Sequence, residues 1–570
     1  MSAFADRPWL SSYAPGVPAD IPEVDETLVE MLDGAVRRHR KAVALEFFGE
    51  TTTYAELGEA IERVAGGLRR LGVDRGDRVA IVLPNCPQHV IAFYAVLRLG
   101  AIVVEHNPLY TERELRHQFE DHGAAVAIVW DKVVPTVLDL PSDLGVARVV
   151  SVDLTRAMPL RTRIALRLPI AKARSSRAAL TTGVLASGAV DWSDVADARP
   201  IRRSHAGPEV DDVAVLQYTS GTTGRPKGAI LTHRNLRANA AQGEAWVPGL
   251  ERGREVVYAV LPMFHAYGLT LCATFAMSMG ARLVLFPRFD PALVLQAMRS
   301  APATFLPAVP PIYERLAAAA AERRVSLGSI RFAISGAMSL PVATVETWER
   351  ATGGLLIEGY GMTETSPVAI GNPLGPSRRP GAVGVPFPST ELRVVDPDEP
   401  TVDRGPGEEG ELLLRGPQVF QGYWNRPEET RETLLDDGWL RTGDLVRVDA
   451  DGFVTIVDRR KELIITGGFN VAPSEVEEAL VAHPDVAEAA VVGLPSRSGG
   501  ETVAAAVVLA PGAELDVEAI REHGRSRLAA YKVPRRIVAV DDLPRSLIGK
   551  VLRREVREAL LASDGESQGA

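Results

Sequence analysis

Apolar residues recur at three- and four-residue intervals after residue 53, which is the spacing of one face of a helix. The segment Thr53-Tyr-Ala-Glu56 has the pattern of a capping box, in which the Thr and Glu side chains bind the first free N–H groups of a helix. Gly72 follows the last apolar position and is typical of a helix end. The pattern predicts one amphipathic helix whose apolar positions are Leu57, Ile61, Val64, Leu68 and Leu71.

Strand and helix patterns then alternate along much of the chain. The apolar run Val79–Leu83 predicts a buried strand, Gln88–Leu99 a helix that ends before Gly100, and Ile102–Val104 another strand. Further strand patterns, separated by helical ones, lie at Leu283–Phe286, Thr304–Leu306 and Arg331–Ile334. This alternation predicts a doubly wound α/β architecture.

The pattern changes near Pro388, where prolines and glycines separate short strand signals. These signals predict a β subdomain with strands at Glu391–Asp396, Glu411–Arg415 and Phe453–Val457. Consecutive charges at Asp458–Lys461 then interrupt the apolar pattern and mark a domain boundary. Helix and strand signals resume beyond it at Pro473–Val481, Ala489–Val492, Ala504–Leu509, Val517–Leu528 and Arg536–Val540. We predict an N-terminal domain over residues 1–459, a small α+β domain over 460–561 and a disordered tail over 562–570.

Composition narrows the class of protein. A chain of 570 residues with 46% hydrophobic and 24% charged content has room for more than one core, and it is neither disordered nor collagen-like. Its formal net charge of −10 gives no basic footprint for nucleic acid. Cys86 and Cys272 stand far apart, without the spacing of a metal site or a disulfide framework. Signal-peptide and membrane-spanning patterns are both missing, so we expect a cytoplasmic protein.

The segment Tyr218–Gly228, which reads Y-T-S-G-T-T-G-R-P-K-G, combines the groups that a triphosphate requires. Its glycines let backbone N–H groups approach anionic oxygens, its hydroxyls donate hydrogen bonds, and Lys227 adds a positive charge. Walker A loops differ, because they need Gly before the lysine and Ser or Thr after it, whereas Pro226 and Gly228 stand here. Taken alone, the segment also fits a flexible polar hairpin.

Four further motifs follow this segment in order. They are E-G-Y-G-M-T-E-T-S-P (358–367), G-W-L-R-T-G-D-L (438–445), Asp458–Glu477 and P-R-S-L-I-G-K (544–550). Together the five motifs resemble the adenylate-forming superfamily of acyl-CoA synthetases, firefly luciferases and peptide-synthetase adenylation domains, over about residues 28–556. The resemblance implies an ATP-binding large domain, a mobile small domain, and conversion of a carboxylate to an acyl adenylate.

The resemblance also implies where ATP and Mg²⁺ bind. The expected phosphate-binding residues are Thr219, Ser220, Gly221, Thr222, Thr223, Gly224 and Lys227. Glu364 is the expected Mg²⁺ ligand, with Thr222 as a weaker candidate, because Mg²⁺ prefers oxygen ligands. Without the resemblance, a glutamate between two threonines is typical of a solvated loop.

Adenine is expected beside Tyr360, which would otherwise be interpreted as a core aromatic residue. Other residues expected at the nucleotide are Gly336, Ala337, Gly359, Gly361 and Thr363. Asp444 is expected to accept hydrogen bonds from both ribose hydroxyls, and Arg459 to donate to the same sugar. A Gly-Asp pair is also a common turn, so this motif has a purely structural alternative.

Lys550 matches the family lysine that bridges the substrate carboxylate and the α-phosphate, although a lone lysine is usually a solvated surface charge. Lys461 lies at the family's hinge position, about which the small domain turns after adenylation. That rotation would present Gly467 and Gly468 to the tunnel that admits the pantetheine arm of coenzyme A.

The segment Pro262-Met-Phe-His-Ala-Tyr-Gly-Leu269 resembles the lining of the acyl pocket, with His265 near the reacting carboxylate. A histidine between aromatic residues is equally typical of a packed core. Residues 107–118 resemble medium- and long-chain fatty acyl-CoA ligases most closely, and plant coumarate ligases carry a similar block. Some long-chain enzymes have a tryptophan gate shortly after this histidine; Tyr267-Gly-Leu269 stands here, which leaves chain length open.

Residues 156–177 contain basic but no acidic side chains, interleaved with Leu, Ile and Met. This composition suits contact with an anionic membrane surface, where a lipid substrate partitions. Pro159 and Pro169 limit any helix to a few turns, so a solvated insertion loop is the alternative.

The combined pattern predicts an ATP- and Mg²⁺-dependent ligase that joins a fatty acid to coenzyme A. The alternatives are an aryl-CoA ligase of the coumarate type, an acyl-AMP ligase that loads a carrier protein in trans, and a noncatalytic acyl or nucleotide binder. A binder has no use for residues of both reaction steps, so the last alternative is disfavoured by the joint presence of Lys227, Glu364, Asp444, Arg459 and Lys550.

Overall fold

The computed structural model describes residues 3–202, 204–219, 226–466, 469–496, 501–546 and 549–566. Contacts along the chain define two compact units. The larger unit comprises Trp9–Glu391 and Leu414–Leu440, and the smaller unit comprises Met1–Pro8, Leu392–Leu413 and Arg441–Ala570. Both are mixed α/β structures, as the sequence predicts.

Two extended sheets form the framework of the larger unit. One has the order β7-β6-β5-β3-β4-β8-β9, and the other has the order β16-β15-β14-β13-β12-β10-β11-β1-β2. The strands are Val43–Phe47 (β1), Glu50–Thr53 (β2), Arg78–Val82 (β3), Ile102–Glu105 (β4), Val126–Trp130 (β5), Arg148–Val152 (β6), Ala189–Asp191 (β7), Val213–Thr219 (β8), Lys227–Thr232 (β9), Val256–Ala259 (β10), Arg282–Leu285 (β11), Phe305–Ala308 (β12), Phe332–Ser335 (β13), Leu355–Gly361 (β14), Val368–Gly371 (β15) and Val385–Pro386 (β16).

Helices connect these strands and cover the sheets. They are Leu28–Arg38 (α1), Tyr54–Arg70 (α2), Pro87–Arg98 (α3), Glu112–His122 (α4), Val134–Leu138 (α5), Leu160–Ala165 (α6), Ala171–Leu180 (α7), Trp192–Ala196 (α8), His233–Trp246 (α9), Ala266–Gly268 (α10), Phe275–Ser278 (α11), Pro291–Ala297 (α12), Pro310–Arg323 (α13), Val342–Thr352 (α14) and Pro427–Thr433 (α15). A π-helical turn, Leu269–Thr274, joins α10 to α11. Most neighbouring strands run parallel, as doubly wound connections require.

Helix α2 confirms the first sequence prediction. Thr53 accepts a hydrogen bond from the Glu56 N–H, and the Glu56 carboxylate accepts one from the Thr53 N–H at 2.8 Å. The predicted apolar positions on the helix face the core, where Leu57 and Leu68 are fully buried. Local capping and amphipathic spacing therefore specify this helix, because both act within a few residues of each other.

The smaller unit contains the β-rich region and the C-terminal α+β region. Its sheets have the orders β17-β18-β19-β20, β21-β22 and β23-β24-β25. The strands are Glu391–Val395 (β17), Glu409–Arg415 (β18), Leu440–Val448 (β19), Val454–Arg459 (β20), Ile464–Thr466 (β21), Phe469–Val471 (β22), Val486–Pro495 (β23), Glu501–Leu509 (β24) and Arg536–Ala539 (β25), and the helices are Pro473–Val481 (α16), Val517–Arg525 (α17) and Arg553–Glu566 (α18). The predicted β subdomain and C-terminal elements are confirmed within a few residues.

The predicted disordered tail over residues 562–570 is wrong in its first part, because α18 extends to Glu566. Arg536 holds the end of this helix on β25: it donates to the Leu560 carbonyl at 2.9 Å and to the Ser563 hydroxyl at 2.8 Å. A long-range anchor of this kind leaves no local pattern in the sequence. Residues 567–570 lie outside the described residues.

Candidate active site

Strands β8 and β9 form the hairpin that carries the phosphate-binding motif. Thr219, the last residue of β8, lies opposite Lys227, the first residue of β9. The structure thus describes the base of the hairpin. The predicted phosphate ligands at its tip, Ser220, Gly221, Thr222, Thr223 and Gly224, lie outside the described residues.

Tyr423 links Lys227 to Glu364. The Lys227 amine lies 5.1 Å from the centre of the Tyr423 ring, and the Tyr423 hydroxyl donates a 2.5 Å hydrogen bond to Oε1 of Glu364. The segment that carries Tyr423 lies along β9, where the Trp424 N–H donates to the Gly228 carbonyl at 2.8 Å. The ring of Tyr423 thus contacts a cation, and its hydroxyl binds a buried carboxylate. A cation and a carboxylate held close together suit phosphate oxygens and the divalent ion that accompanies them.

Tyr423 was missed by sequence reasoning. Burial is the largest of the effects that raise the pKa of its hydroxyl, with the neighbouring Glu364 carboxylate next, so the group stays a donor at neutral pH. Nothing in the Q-G-Y-W-N segment indicates that it pairs with β9, because the pairing partner lies almost two hundred residues away in the chain.

The predicted adenine site lies at the carboxyl ends of neighbouring strands. Gly336 and Ala337 directly follow β13, while Gly359, Tyr360 and Gly361 end β14, and the two strands pair in parallel with Ser335 beside Glu358. The structure therefore brings these predicted residues to one edge of the sheet, where ligands of doubly wound folds bind. Thr363 begins the 3₁₀ turn Thr363–Thr365 that carries Glu364.

Backbone geometry explains the residue types at this edge. A Cβ atom on Gly361 would lie 1.8 Å from the Pro367 carbonyl oxygen, so no larger residue fits. A Cβ atom on Gly336 would lie 3.1 Å from the ring of Tyr267, whose hydroxyl donates to the Ile334 carbonyl at 2.6 Å. Ala337 adopts a left-handed conformation with φ 65°, which an L-residue rarely does.

His265 is half-buried in the loop between β10 and α10. Its Nδ1 atom has no hydrogen-bond partner among the described residues, and burial lowers the pKa of its imidazole to about 4. The side chain is therefore neutral at pH 7 and retains one buried nitrogen for a ligand. A histidine with a purely structural role in a core normally has its buried ring nitrogens hydrogen-bonded, so the unpaired Nδ1 atom argues against that interpretation of His265.

Two buried amides that the sequence analysis did not identify hold the His265 loop. Asn85 donates to the Ala259 and Leu261 carbonyls at 2.9 and 2.7 Å and accepts from the Met263 N–H at 2.8 Å. Gln217 of β8 donates to the Phe264 carbonyl at 2.8 Å. These bonds tie a loop of one sheet to strand ends of the other.

Asp444 and Arg459 form an ion pair in the smaller unit. They lie opposite each other on the antiparallel strands β19 and β20, and Arg459 Nε is 3.1 Å from Asp444 Oδ1. The Asp444 side chain is 6% exposed and that of Arg459 is 41% exposed. The predicted ribose residues are therefore adjacent, with the carboxylate largely buried and the guanidinium accessible.

Lys550 lies in the same unit as this ion pair, in a closed turn. The Lys550 N–H donates to the Ser546 hydroxyl at 3.1 Å, and the Ser546 N–H donates to the Lys550 carbonyl at 2.8 Å. Burial lowers the pKa of its amine to about 8, assisted by the like charges of Arg459 and Arg553 and opposed by Glu462 and Asp444. Lys550 is therefore no ordinary solvated surface lysine.

The remaining predicted positions are described only in part. Lys461 lies in the 3₁₀ turn Arg460–Glu462, which follows β20. Gly467 and Gly468 lie outside the described residues, so their assignment to a pantetheine tunnel stays a prediction. Within the described ranges, no group of three His, Cys, Asp or Glu side chains could hold a metal ion. No helix in those ranges is long and apolar enough to cross a bilayer.

Comparison with known proteins places these residues in a family context. Residues 32–424 match the family described as AMP-binding enzyme, and residues 475–550 match the AMP-binding enzyme C-terminal domain. A long-chain-fatty-acid–CoA ligase of Bacillus subtilis is 38% identical over 557 residues, covering 97% of this chain and 98% of the relative. The 4-coumarate–CoA ligase 3 of Oryza sativa is 35% identical over 524 residues, covering 90% of this chain and 88% of the relative. ATP-bound MatB from Rhodopseudomonas palustris has a TM-score of 0.80 at 31% identity, covering 93% of this chain and 98% of that protein.

We predict that the Lys550 amine of the free protein titrates near pH 8, as its lowered pKa of about 8 requires. Reductive methylation with ¹³C-formaldehyde labels each lysine, and an NMR pH titration measures each pKa. The signal that disappears in Lys550→Arg identifies the residue. Arg459→Gln should raise this pKa, because it removes a like charge that lowers it.

Arg460→Gln is the matched control, since Arg460 pairs with exposed Asp398 at 2.7 Å and is not among the charges that shift Lys550. It should leave the Lys550 pKa unchanged. A Lys550 pKa near the ordinary value of about 10.4 would contradict the burial of this amine.

Proposed function

Because this chain belongs to the family of AMP-binding enzymes, we propose that it is an ATP-dependent ligase that joins a fatty acid to coenzyme A. The observation that carries the proposal is the 38% identity to a long-chain-fatty-acid–CoA ligase over 97% of this chain. The charged residues that such chemistry needs are all present in this sequence: Lys227, Glu364, Asp444, Arg459 and Lys550.

In the first step, a carboxylate oxygen of the fatty acid attacks the α-phosphorus of ATP. An oxygen–phosphorus bond forms, the bond from the α-phosphorus to the bridging oxygen breaks, and pyrophosphate leaves with both electrons. Negative charge builds on the α-phosphate in the transition state, so a fixed cation lowers the barrier. Lys550 supplies this cation, and Lys227 stabilises the β- and γ-phosphates.

The remaining residues position the nucleotide and the acid. Asp444 accepts hydrogen bonds from the ribose hydroxyls, Arg459 donates to the same sugar, and Tyr360 contacts adenine. Neutral His265 offers its unpaired nitrogen to the substrate carboxylate without adding charge. In the second step, the coenzyme A thiolate attacks the acyl carbon, a thioester bond forms, and AMP leaves.

Glu364 is the residue of this chain that would hold Mg²⁺, together with Thr222. The ion neutralises phosphate charge when it is bound. The fit is supported by the Tyr423 hydroxyl, which orients the Glu364 carboxylate at 2.5 Å, and by the nearby Lys227 amine. Mg²⁺ is usually held by one or two carboxylates and the substrate phosphates, rather than by a cage of protein ligands.

The domain boundary at residues 459 and 460 and the hinge at Lys461 are part of the proposal. The C-terminal family match over residues 475–550 begins beyond the proposed hinge and supports a separate C-terminal domain. Rotation about this hinge would remove Lys550 after the first step and admit the pantetheine arm past Gly467 and Gly468.

Peripheral membrane contact through residues 156–177 is a further part of the proposal. Leu160, Ile164 and Ile170 are 68%, 57% and 54% exposed, so aliphatic side chains project from helix α6 and from its connection to α7. Six cations of this segment make no ion pair with any described residue: Arg161, Arg163, Arg167, Lys172, Arg174 and Arg177. Unpaired cations beside exposed aliphatic residues suit an anionic lipid surface.

The proposed reaction predicts pyrophosphate release that depends on a fatty acid, with an acyl-CoA product only when coenzyme A is present. A panel of short-, medium- and long-chain fatty acids and 4-coumarate, assayed for pyrophosphate with and without coenzyme A, tests this. A preference for 4-coumarate would mean that the protein is an aryl-CoA ligase rather than a fatty acid–CoA ligase. Acyl-AMP that is never transferred to coenzyme A would favour the carrier-loading alternative.

We predict that Lys550→Ala cripples acyl-AMP formation and leaves thioester formation from synthetic acyl-AMP largely intact. The lost charge stabilises only the attack on the α-phosphate, so we expect a decrease of about 100-fold or more in the first step. Lys461→Pro should show the opposite bias, because proline fixes φ at the hinge. Both half-reactions are measured separately, and equal slowing of the two steps in Lys550→Ala would mean that the lysine is structural.

We predict that the protein binds vesicles of phosphatidylglycerol and phosphatidylcholine, and that the binding fades as salt rises. The triple variant Arg161→Gln, Arg163→Gln, Arg167→Gln should weaken this binding. The control Arg323→Gln, Arg324→Gln, Arg350→Gln removes the same charge from another surface and should bind as the unmodified protein does. Equal cosedimentation with pure phosphatidylcholine vesicles would contradict the electrostatic contact.

A further inference from the structure

Helix α16 is capped by a residue that lies far from it in the sequence. The helix begins at Pro473, and its own N-cap residue, Ala472, has no side-chain acceptor. Oδ2 of Asp458 accepts from the Ser474 N–H at 3.0 Å and lies 2.7 Å from the Ser474 hydroxyl. Asp458 is 5% exposed. A buried carboxylate thus occupies the helix N-terminus, where free N–H groups and the helix dipole both favour negative charge.

The same carboxylate also contacts the strand that carries a proposed ribose residue. Asp458 precedes Arg459 on β20, and its Oδ1 atom accepts from the Arg459 N–H at 2.7 Å. The Ser474 hydroxyl lies 2.9 Å from the Val457 carbonyl oxygen on the same strand. Asp458 therefore joins β20, and with it the Asp444–Arg459 ion pair, directly to the start of α16.

A second set of contacts connects α16 to the turn that holds Lys550. Arg553, the first residue of α18, donates to Glu477 of α16 through two parallel hydrogen bonds of 2.9 and 2.7 Å. Glu477 also accepts from the Val491 N–H at 2.8 Å, and Arg553 forms a further ion pair with Glu462. Because a guanidinium fork fixes both distance and orientation, α18 and the preceding Lys550 turn follow the position of α16.

We propose that Asp458 is a positioning residue for Lys550, acting through Ser474, helix α16 and the Glu477–Arg553 pair. The role rests on the ligase function proposed above, in which Lys550 acts on the α-phosphate. When Asp458 caps α16, the Lys550 amine is held near the Asp444–Arg459 pair. Loss of the cap frees α16 to shift, and Lys550 shifts with it.

The pKa of the Lys550 amine indicates whether the amine occupies this position. Burial and the neighbouring Arg459 both lower its pKa, so displacement from this site raises the pKa toward its ordinary value. Removal of the negative charge of Asp458 has the opposite direct effect, because a nearby carboxylate favours a protonated amine. The sign of the change therefore separates displacement from a simple loss of charge.

The test compares Asp458→Ala with Asp516→Ala. Asp516 is the N-cap residue of α17 in the same unit, and its carboxylate accepts a hydrogen bond from the Ala519 N–H at 2.9 Å. The control therefore removes an equivalent carboxylate cap. In Asp458→Ala we expect acyl-AMP formation to fall about five- to tenfold, the equivalent of one lost cap. Thioester formation from synthetic acyl-AMP should stay unchanged, and the NMR-measured Lys550 pKa should rise. Asp516→Ala should not slow one half-reaction more than the other, and it should leave the Lys550 pKa unchanged.

Further variants keep the test valid if Asp458→Ala fails to fold. Ser474→Ala should act in the same direction with a smaller effect, because the backbone N–H of residue 474 remains. Ser474→Thr and Asp458→Asn retain a hydroxyl or an acceptor oxygen and should restore most of the first-step rate.

An unchanged or lowered Lys550 pKa in Asp458→Ala would overturn the proposal, and so would equal slowing of both half-reactions. The pKa measurement needs no catalysis. Failure of the ligase function would instead appear as no pyrophosphate release that depends on a fatty acid in the unmodified protein.

Discussion

Parallel strands end at a common edge of their sheet, and this constraint organises the larger unit. Residues after β13 and at the end of β14 meet because the two strands run in the same direction in register. The loop that bears His265 follows β10 of the same sheet, and β8 of the other sheet contributes Gln217 to that loop. A nucleotide-binding chemistry needs several polar groups at one place, and parallel sheets supply them from segments far apart in the chain.

Burial also sets the charge of individual side chains within each unit. Burial lowers the pKa of the His265 imidazole and raises the pKa of the Tyr423 hydroxyl, so both groups are neutral at pH 7. In the smaller unit, burial likewise lowers the pKa of the Lys550 amine, to about 8. An anion beside this amine would raise its pKa, because an opposite charge favours the protonated form.

Polar side chains also carry much of the long-range architecture. Asn85 and Gln217 fix a loop between two sheets, Arg536 extends α18, and Asp458 caps α16 from a distant strand. Each is a buried or half-buried group that makes at least one hydrogen bond to a backbone atom of another segment. Such groups are costly to leave unpaired, so they constrain the segments that they join more tightly than apolar contacts of equal area do.

Local physics explains what the sequence by itself determined. The capping box at Thr53 and Glu56, the helix Pro473–Val481 and the alternation of strands with helices all act over a few residues, and the structure confirms each. Motif order indicated the family and named Lys227, Glu364, Asp444, Arg459 and Lys550. Tertiary structure alone decided that Tyr423 lies between Lys227 and Glu364, that Asp458 caps α16, and that α18 passes residue 562. These contacts join residues brought together only by folding, and their hydrogen bonds impose no spacing or periodicity on the sequence around them.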